Sequence, residues 1–299
     1  MQITLTGASG FIGGRLIARL LERKHSLVLL GRRRPARLPD GVKFFEWDAN
    51  SGAAPPVEAL EGSEAVIHLA GEPVAQRWTA AAKEKIRSSR VGGTAALLGA
   101  LKPISSKPHV FIGASAIGYY GDRGEELLAE SAKPGTGFLP EICVNWEAAS
   151  REARNLGIRT VLLRIGIVLG PGGGALAKMV TPFRLGAGGK VGSGQQWMSW
   201  IHVEDAVGLM LHALETPVEG PMNVTAPNPV RNVDFTRALG KALRRPTLIP
   251  VPEFGLSLVF GEMATMLTSS QRVDCAVARQ TGYRFQYPEL DGALSEIQL

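Results

Sequence analysis

The sequence predicts an α/β fold, a doubly wound parallel sheet with a smaller mixed C-terminal lobe, and three observations carry that expectation. The chain opens on a short β-branched run, Gln2 to Thr6, that passes straight into the glycines Gly7, Gly10 and Gly13. A helical pattern of Phe11, Ile12, Leu16, Ile17, Leu20 and Leu21 follows. Apolar strand-like runs and longer helical patterns then alternate as far as residue 164, as βαβ units do. From Gly170 the texture changes to glycine clusters and short mixed segments.

The opening segment has a chemical logic. Gly7 permits a tight turn, Gly10 lets backbone approach a pyrophosphate, and Gly13 lets the helix pack closely on the strand. The free N–H groups and positive dipole end of that helix then face phosphate. Glycine triplets are common in turns, but here the strand before and the helix after are both present, which is the context a dinucleotide site requires.

Ser26 to Leu30 reads as the second strand, followed at once by Gly31 and the cluster Arg32, Arg33, Arg34 and Arg37. An acid at this position would bind the ribose 2′-hydroxyl of NAD, whereas arginine accommodates the 2′-phosphate of NADP. No acid stands there, and a guanidinium fork suits phosphate, so NADP is the expected cofactor, with Arg32 first and Arg33 second as its contacts. Lys43 to Trp47 is the third strand. Ala65 to Leu69 is the fourth, ending in the small pair Ala70-Gly71, and His68 within it reads as a core histidine. One long helix is expected over 79–101, a fifth strand at Val110 to Gly113, a helix around 138–156, and a sixth strand at Arg159 to Arg164.

Beyond the glycine-rich stretch 170–194, His202 to Asp205 opens a helix, Gly220 to Thr225 reads as a strand, 232–244 as a helix and 253–268 as one apolar helix. Met263 and Met266 are expected to fill core. The domain reading assigns residues 1–168, with 201–228 returning to them, to the dinucleotide-binding domain. Residues 169–200 and 229–299 form the smaller substrate lobe, laid over the carboxyl edge of the sheet.

Composition excludes several classes. The 299 residues, 45% of them hydrophobic and 20% charged, describe a globular chain able to bury a core. The longest uncharged runs, 1–14 and 108–121, are too short and glycine-rich to cross a bilayer, and no basic region precedes the first strand as a signal peptide would require. Two cysteines, Cys143 and Cys275, form neither a disulfide framework nor a metal spacing, so no metal is expected and the cytoplasm is the expected compartment. The net charge of +6 is scattered apart from one cluster, with no recognition motif, and nucleic acid is not an expected partner.

Longer motifs now carry a resemblance. Thr6-Gly7-Ala-Ser-Gly10-Phe-Ile-Gly13, His68-Leu-Ala-Gly71, Tyr119-Tyr-Gly121, Gly166-Ile-Val-Leu-Gly-Pro-Gly-Gly-Gly174, Trp200-Ile-His-Val-Glu-Asp205 and Tyr287-Pro-Glu-Leu290 together resemble extended short-chain dehydrogenase/reductases. More narrowly, they resemble the atypical "epimerase family" branch, which carries a C-terminal segment of unknown function. The resemblance spans essentially the whole chain and implies a Rossmann-like sheet. It further implies NADP contacts at Gly7, Ser9, Gly10, Phe11 and Ile12 around the pyrophosphate, at Gly31 and Arg32 on the ribose phosphate, and at Leu69 and Ala70 at the end of the fourth strand. Arg90 and Val168 are implied near the other half of the cofactor. It also implies an unidentified small-molecule substrate and homodimers through the long helices.

The resembling family protonates substrate with a tyrosine whose pKa is lowered by a lysine four residues later. The four tyrosines here, Tyr119, Tyr120, Tyr283 and Tyr287, are followed at that spacing by Arg123, Gly124, Tyr287 and Asp291, so the pair is absent. Depending on register, its place falls to Cys143/Glu147 or Leu139/Cys143. The remaining candidates are Ser115 near the end of the fifth strand, or Ala116 in the other register, and Tyr120 or Tyr119 just beyond. Glu72 is a further candidate. Cys143 reads as a small buried hydrophobe and His202 as an anchor of the second lobe. Three functions stay open: an NADP(H)-dependent oxidoreductase with a relocated or water-borne proton donor, a non-catalytic NADP(H)-binding sensor, and a sugar-nucleotide epimerase.

Overall fold

The computed structural model describes residues 1–35 and 37–297. Seven parallel strands make the central sheet: β1 (Gln2–Thr6), β2 (Ser26–Gly31), β3 (Lys43–Glu46), β4 (Ala65–His68), β5 (Val110–Ala116), β6 (Arg159–Ile165) and β7 (Gly220–Val224). Their order is 3-2-1-4-5-6-7, with the direction of winding reversing between β1 and β4. That reversal opens a crevice at the carboxyl end of β1, where doubly wound sheets bind ligands.

Both faces of the sheet are apolar because every strand is covered twice. Ile3, Leu5, Leu27, Leu29, Ala65, Ile67, Val161 and Leu163 face one way, against Leu16 and Leu20 of α1 (Phe11–Glu22) and the buried helix that begins at Val203. The alternate residues Val28, Leu30, Val66 and Phe111 face the other way, against Leu97 and Leu101. Period-two alternation thus builds two cores from one set of strands.

The expected helix over 79–101 is not continuous. It runs as α2 (Ala80–Arg87), a π-helical turn (Ser88–Gly92) and α3 (Gly93–Leu101). The turn has local causes. Ser89 Oγ donates to Ile86 O and accepts the Glu72 N–H at 2.9 Å, and a Cβ on Gly93 would lie 2.8 Å from Cβ of Ala49. A wide turn there presents Arg90 toward the end of β4, and such bulges recur at functional sites.

The helix expected around 138–156 is α4 (Phe138–Arg151), finished by a 3₁₀ segment (Glu152–Leu156). The glycine-rich stretch 170–194 contains a helix, α5 (Gly174–Arg184). It packs against α7 (Asn232–Leu243), while α6 (Val203–Glu215) is buried against the sheet. Leu176, Val180, Phe183, Trp200, Phe235, Leu239 and Leu294 make a separate core for this lobe.

The single apolar helix expected at 253–268 is corrected more sharply. It breaks into α8 (Glu253–Phe260), a 3₁₀ turn (Gly261–Ala264) and α9 (Thr265–Thr268), the break falling at Gly261 with φ +60°. No residue of α8 is buried, and Phe254 is 76% exposed. Met263 is core, but Met266 faces outward. Among the described residues no helix is long and apolar enough to cross a membrane.

Candidate functional site

The glycine loop joins β1 to α1 under tight steric limits. Gly7 has φ +76°, and a Cβ there would sit 2.7 Å from the carbonyl carbon of Leu69 and 2.9 Å from Ala70 N. A Cβ on Gly13 would lie 2.2 Å from Gly7 O. The loop closes through Gly10 N–H donating to Gly7 O at 3.0 Å, and Gly10 occupies the N-cap of α1 without a capping side chain. The leading N–H groups of α1 are thus left to a ligand. Ser9 and Gly10 are exposed at the loop, and Ile12 is partly buried against the core. The ring of Phe11 turns away from the loop, into contact range of Gly170, Gly173 and Gly174.

One strand over, Thr6 is in register with Leu30. Gly31 and the arginines therefore emerge beside the glycine loop. Arg32, Arg33 and Arg34 are exposed, and none has a side-chain hydrogen bond or ion pair among the described residues. No carboxylate stands between residues 31 and 35.

Beneath the loop, one network fixes the ends of β1 and β4. Thr6 Oγ1 accepts the N–H groups of Leu69 and Ala70, both at 3.1 Å, and lies 2.7 Å from His68 Nδ1. His68 Nε2 is 3.1 Å from Thr94 Oγ1, which also accepts Trp146 Nε1–H at 3.1 Å and donates to Arg90 O. This pattern assigns the ring proton to Nε2 and leaves Nδ1 to accept from Thr6. Burial, aided by the Arg90 charge, pushes the His68 pKa down to about 4. Its ring sits between Trp47 and Phe111. The histidine is core, as its apolar strand suggests.

Arg90 is braced under the end of β4. Its Nη1 donates to Glu72 O at 2.8 Å, its guanidinium lies 5.0 Å from the Trp146 ring centre, and a Cβ on Gly71 would touch it at 3.1 Å. The half-buried Glu72 carboxylate has no bonded partner among the described residues. Val168 is buried in a short parallel pair formed by Ile167–Leu169 and Trp200–His202.

The catalytic candidates Ser115 and Tyr120 lie at and just beyond the end of β5. Ser115 is buried and donates its hydroxyl proton to Glu147 Oε1 at 2.9 Å. Glu147, fully buried on α4, also receives Arg164 Nε at 2.7 Å, Arg164 Nη2 at 3.0 Å and Arg151 Nη2 at 2.8 Å. Tyr120 has no exposed surface. Its hydroxyl donates to Asn223 Oδ1 at 2.7 Å and accepts Arg164 Nη1 at 3.0 Å. Burial pushes the Tyr120 pKa up to about 12 in spite of Arg164. Burial, reinforced by Glu147, likewise pushes the Cys143 thiol up to about 12. None of these three protons is offered to a cleft.

The sequence reading missed two features that only the fold assembles. Glu147, which falls in the lysine position in one of the two registers, is half of a buried ion pair whose other half, Arg164, comes from β6. Asp205, legible only as a first-turn acid, ties down the end of the chain: it accepts Tyr283 O–H at 3.0 Å and the N–H groups of Gln286 and Tyr287, both at 2.8 Å. Beside it His202 caps α6 by accepting Glu204 N–H and stacks 4.1 Å from the Tyr287 ring, an anchoring role. The lobe reaches the dinucleotide side through Lys178 Nζ, which donates to Ala75 O at 3.0 Å, and through the ion pair of Lys83 with Glu262. Among the described residues no group of His, Cys, Asp and Glu is placed to hold a metal.

Comparison with known proteins places this geometry among relatives. The model of the NAD dependent epimerase/dehydratase family matches residues 3–225, and a domain of unknown function, DUF1731, matches 251–297. The chain is 39% identical to "Epimerase family protein SDR39U1 homolog, chloroplastic" of Arabidopsis thaliana, over 99% of its own length and 86% of the relative. It is 38% identical to "Epimerase family protein YfhF" of Bacillus subtilis, over 99% and 98%. The crystal structure of human epimerase family protein SDR39U1 with NADPH superposes with a TM-score of 0.88 at 33% identity, covering 100% of this chain and 99% of that one. A UDP-glucose 4-epimerase of Thermotoga maritima shares the fold at 19% identity, with a TM-score of 0.79 over 99% and 97% of the two chains.

Proposed function

Because this chain belongs to the NAD dependent epimerase/dehydratase family, we propose that it is an NADP(H)-dependent oxidoreductase of the extended short-chain type. Its substrate is a small molecule held between the carboxyl edge of the sheet and the second lobe. The observation that carries the cofactor is the pairing of a cradle that any Cβ would fill, at Gly7 and Gly13, with exposed, unpaired Arg32 and Arg33 one strand away. A related human protein crystallised with NADPH supports the same reading. In it, the glycine loop and the first N–H groups of α1 hold the pyrophosphate, and Arg32 with Arg33 meets the ribose phosphate. Leu69 and Ala70, pinned by Thr6, line the path toward Arg90 and Val168.

Bound there, the nicotinamide supplies hydride chemistry. The chain's part is to position substrate and exclude competing reactions. With the protons of Ser115, Tyr120 and Cys143 committed inside the protein, the proton exchanged with the substrate oxygen comes from water in the cleft. The two cysteines are unpaired and buried, in keeping with a reducing compartment such as the cytoplasm.

The test is loss of NADPH absorbance against a panel of small aldehydes and ketones, with Tyr120→Phe run in parallel. The expected result is turnover of at least one carbonyl class at a rate the variant preserves within about threefold, since the phenol contributes no general acid catalysis, usually worth about 100-fold or more. NADPH binding without turnover of any class would favour a second reading, a non-catalytic sensor. One observation supports that reading: α8 carries Phe254, Leu258 and Val259 exposed, a face suited to a partner. The epimerase reading is supported by the family match and by a nucleoside-diphosphate sugar epimerase of Corynebacterium glutamicum that is 32% identical over all of this chain and 58% of its own, but it gains nothing from the buried Tyr120.

A further inference from the structure

We infer that the substrate carries an apolar portion, an alkyl or aryl group, held between α8 and a surface made by Trp78, Phe138 and Leu139; the inference deepens the oxidoreductase reading above and rests on it. The observation behind it is a set of large apolar side chains that belong to no core. Trp78, Phe138 and Leu139 are half-buried, as are Leu256 and Phe260, one turn apart on the inner side of α8. Among the described residues none of them packs on any of the apolar cores. Phe254 and Leu258, on the other side of the helix, are exposed. Apolar surface left half in water forfeits burial free energy, and apolar side chains lining a crevice are the common material of ligand sites.

Helix α8 is apolar all round, with Phe254, Leu256, Leu258, Val259 and Phe260 in a single stretch. Such a helix is normally enclosed, yet no residue of this one is buried. It crosses between the two halves of the molecule. Its leading end is tied to the second lobe, where Val251 bridges Val191, donates its N–H to Lys190 O at 2.8 Å and accepts Gly192 N–H at 2.9 Å. Just beyond its trailing end, Glu262 pairs with Lys83 of α2, and a Cβ on Gly261 would lie 3.9 Å from Arg77 Nε. The 8 residues of the helix cover about 12 Å, enough to cross a gap that holds a small molecule.

The opposite wall starts from the same tie. Lys83 Nζ lies 5.1 Å from the Phe138 ring centre, and that ring meets Trp78 edge-on at 5.0 Å. Trp78 stands in the segment that leaves β4, and its only donor is committed, Nε1–H reaching Val74 O at 2.9 Å. Leu139 follows Phe138 in the first turn of α4, and a Cβ on Gly118 would lie 3.5 Å from Leu139 Cβ. Gly118 stands just past the end of β5. The wall therefore runs from the carboxyl edge of the sheet, where ligands of this architecture bind, to the anchor of α8. In one of the two registers Leu139 takes the place of the proton-donating tyrosine, so hydrocarbon stands where the resembling family presents a hydroxyl. These side chains offer a ligand no free hydrogen-bond partner and read it by contact and by removal of apolar surface from water.

The experiment titrates 1-butanol, 1-hexanol and 1-octanol into the full-length protein by calorimetry, with and without saturating NADPH. The expected result is saturable binding that tightens about fourfold for each added methylene. Phe138→Ser and Leu256→Ser, one from each wall, should each weaken 1-octanol at least fivefold, whereas Phe254→Ser, on the outward side of α8, should leave it unchanged. NADPH affinity reports the folding of every variant. No alcohol binding while NADPH binds, affinity independent of chain length, wild-type affinity in both wall variants, or an equal loss in Phe254→Ser overturns the inference and leaves the cofactor reading intact. Chain-length-dependent binding that both wall variants weaken, in a protein that binds no NADPH, overturns the oxidoreductase reading instead and leaves the apolar site standing.

Discussion

His68 shows how a single side chain records the design of the site. It is completely buried, and its two nitrogens are used by Thr6 and Thr94, so the ring must stay neutral for the ends of β1 and β4 to keep their spacing. Its folded pKa of about 4 lies below the 6.5 of an unfolded histidine, so the unfolded chain binds more protons between those values and folding weakens as pH falls through that window. The full difference corresponds to about 3 kcal/mol of stability present near neutral pH and lost by pH 4. Chemical denaturation at pH 7 and pH 4.5 should show that dependence in wild type and a flatter one in His68→Asn. Equal pH slopes in the two proteins would mean that the histidine titrates as an exposed one. The glycines act at the same scale but through space rather than charge, since the carbonyl of Gly7 occupies the position where a Cβ of Gly13 would go.

Elements differ in how far the sequence announces them. The β1–loop–α1 unit is legible because its signals are local: strand alternation, glycine spacing and helical period all fall within the first two dozen or so residues, a span of roughly 20. His68 as core is legible for the same reason. The π turn at Ser88–Gly92 is not, because it answers to contacts with Glu72 and Ala49, distant in sequence. Helix α8 misleads, since apolar periodicity implies burial and this segment is instead exposed. The role of Ser115 and Tyr120 is hidden until β6 delivers Arg164 and β7 delivers Asn223 to them. Asp205 belongs here too, because it joins α6 to the last segment of the chain through three hydrogen bonds to one carboxylate. Asp205→Asn keeps the shape but removes the charge and one acceptor, and it should cost about 2–4 kcal/mol. Limited proteolysis should then cut first near residues 281–289. A variant as resistant as wild type would show that the segment is held by its apolar contacts alone.

At the scale of the whole molecule, the chain divides its labour across the crevice where the sheet changes direction. The amino-terminal strands and the glycine loop set the backbone donors of α1 on one side and arginines unpaired among the described residues on the other, an arrangement suited to the phosphates of a dinucleotide. The second lobe, with its own core around Trp200, meets that edge through Lys178 and Glu262. Between them a buried Ser115–Glu147–Arg164 cluster joins β5, α4 and β6. Everything in this arrangement depends on the cofactor being the phosphorylated dinucleotide. The measurement that tests it most directly is calorimetric titration of NADPH and of NADH into wild type and Arg32→Ala. The account predicts that wild type binds NADPH at least tenfold more tightly than NADH, and that Arg32→Ala loses most of that preference while its weak NADH binding is unchanged. Equal affinity of wild type for the two nucleotides, or full NADPH affinity in Arg32→Ala, would contradict it.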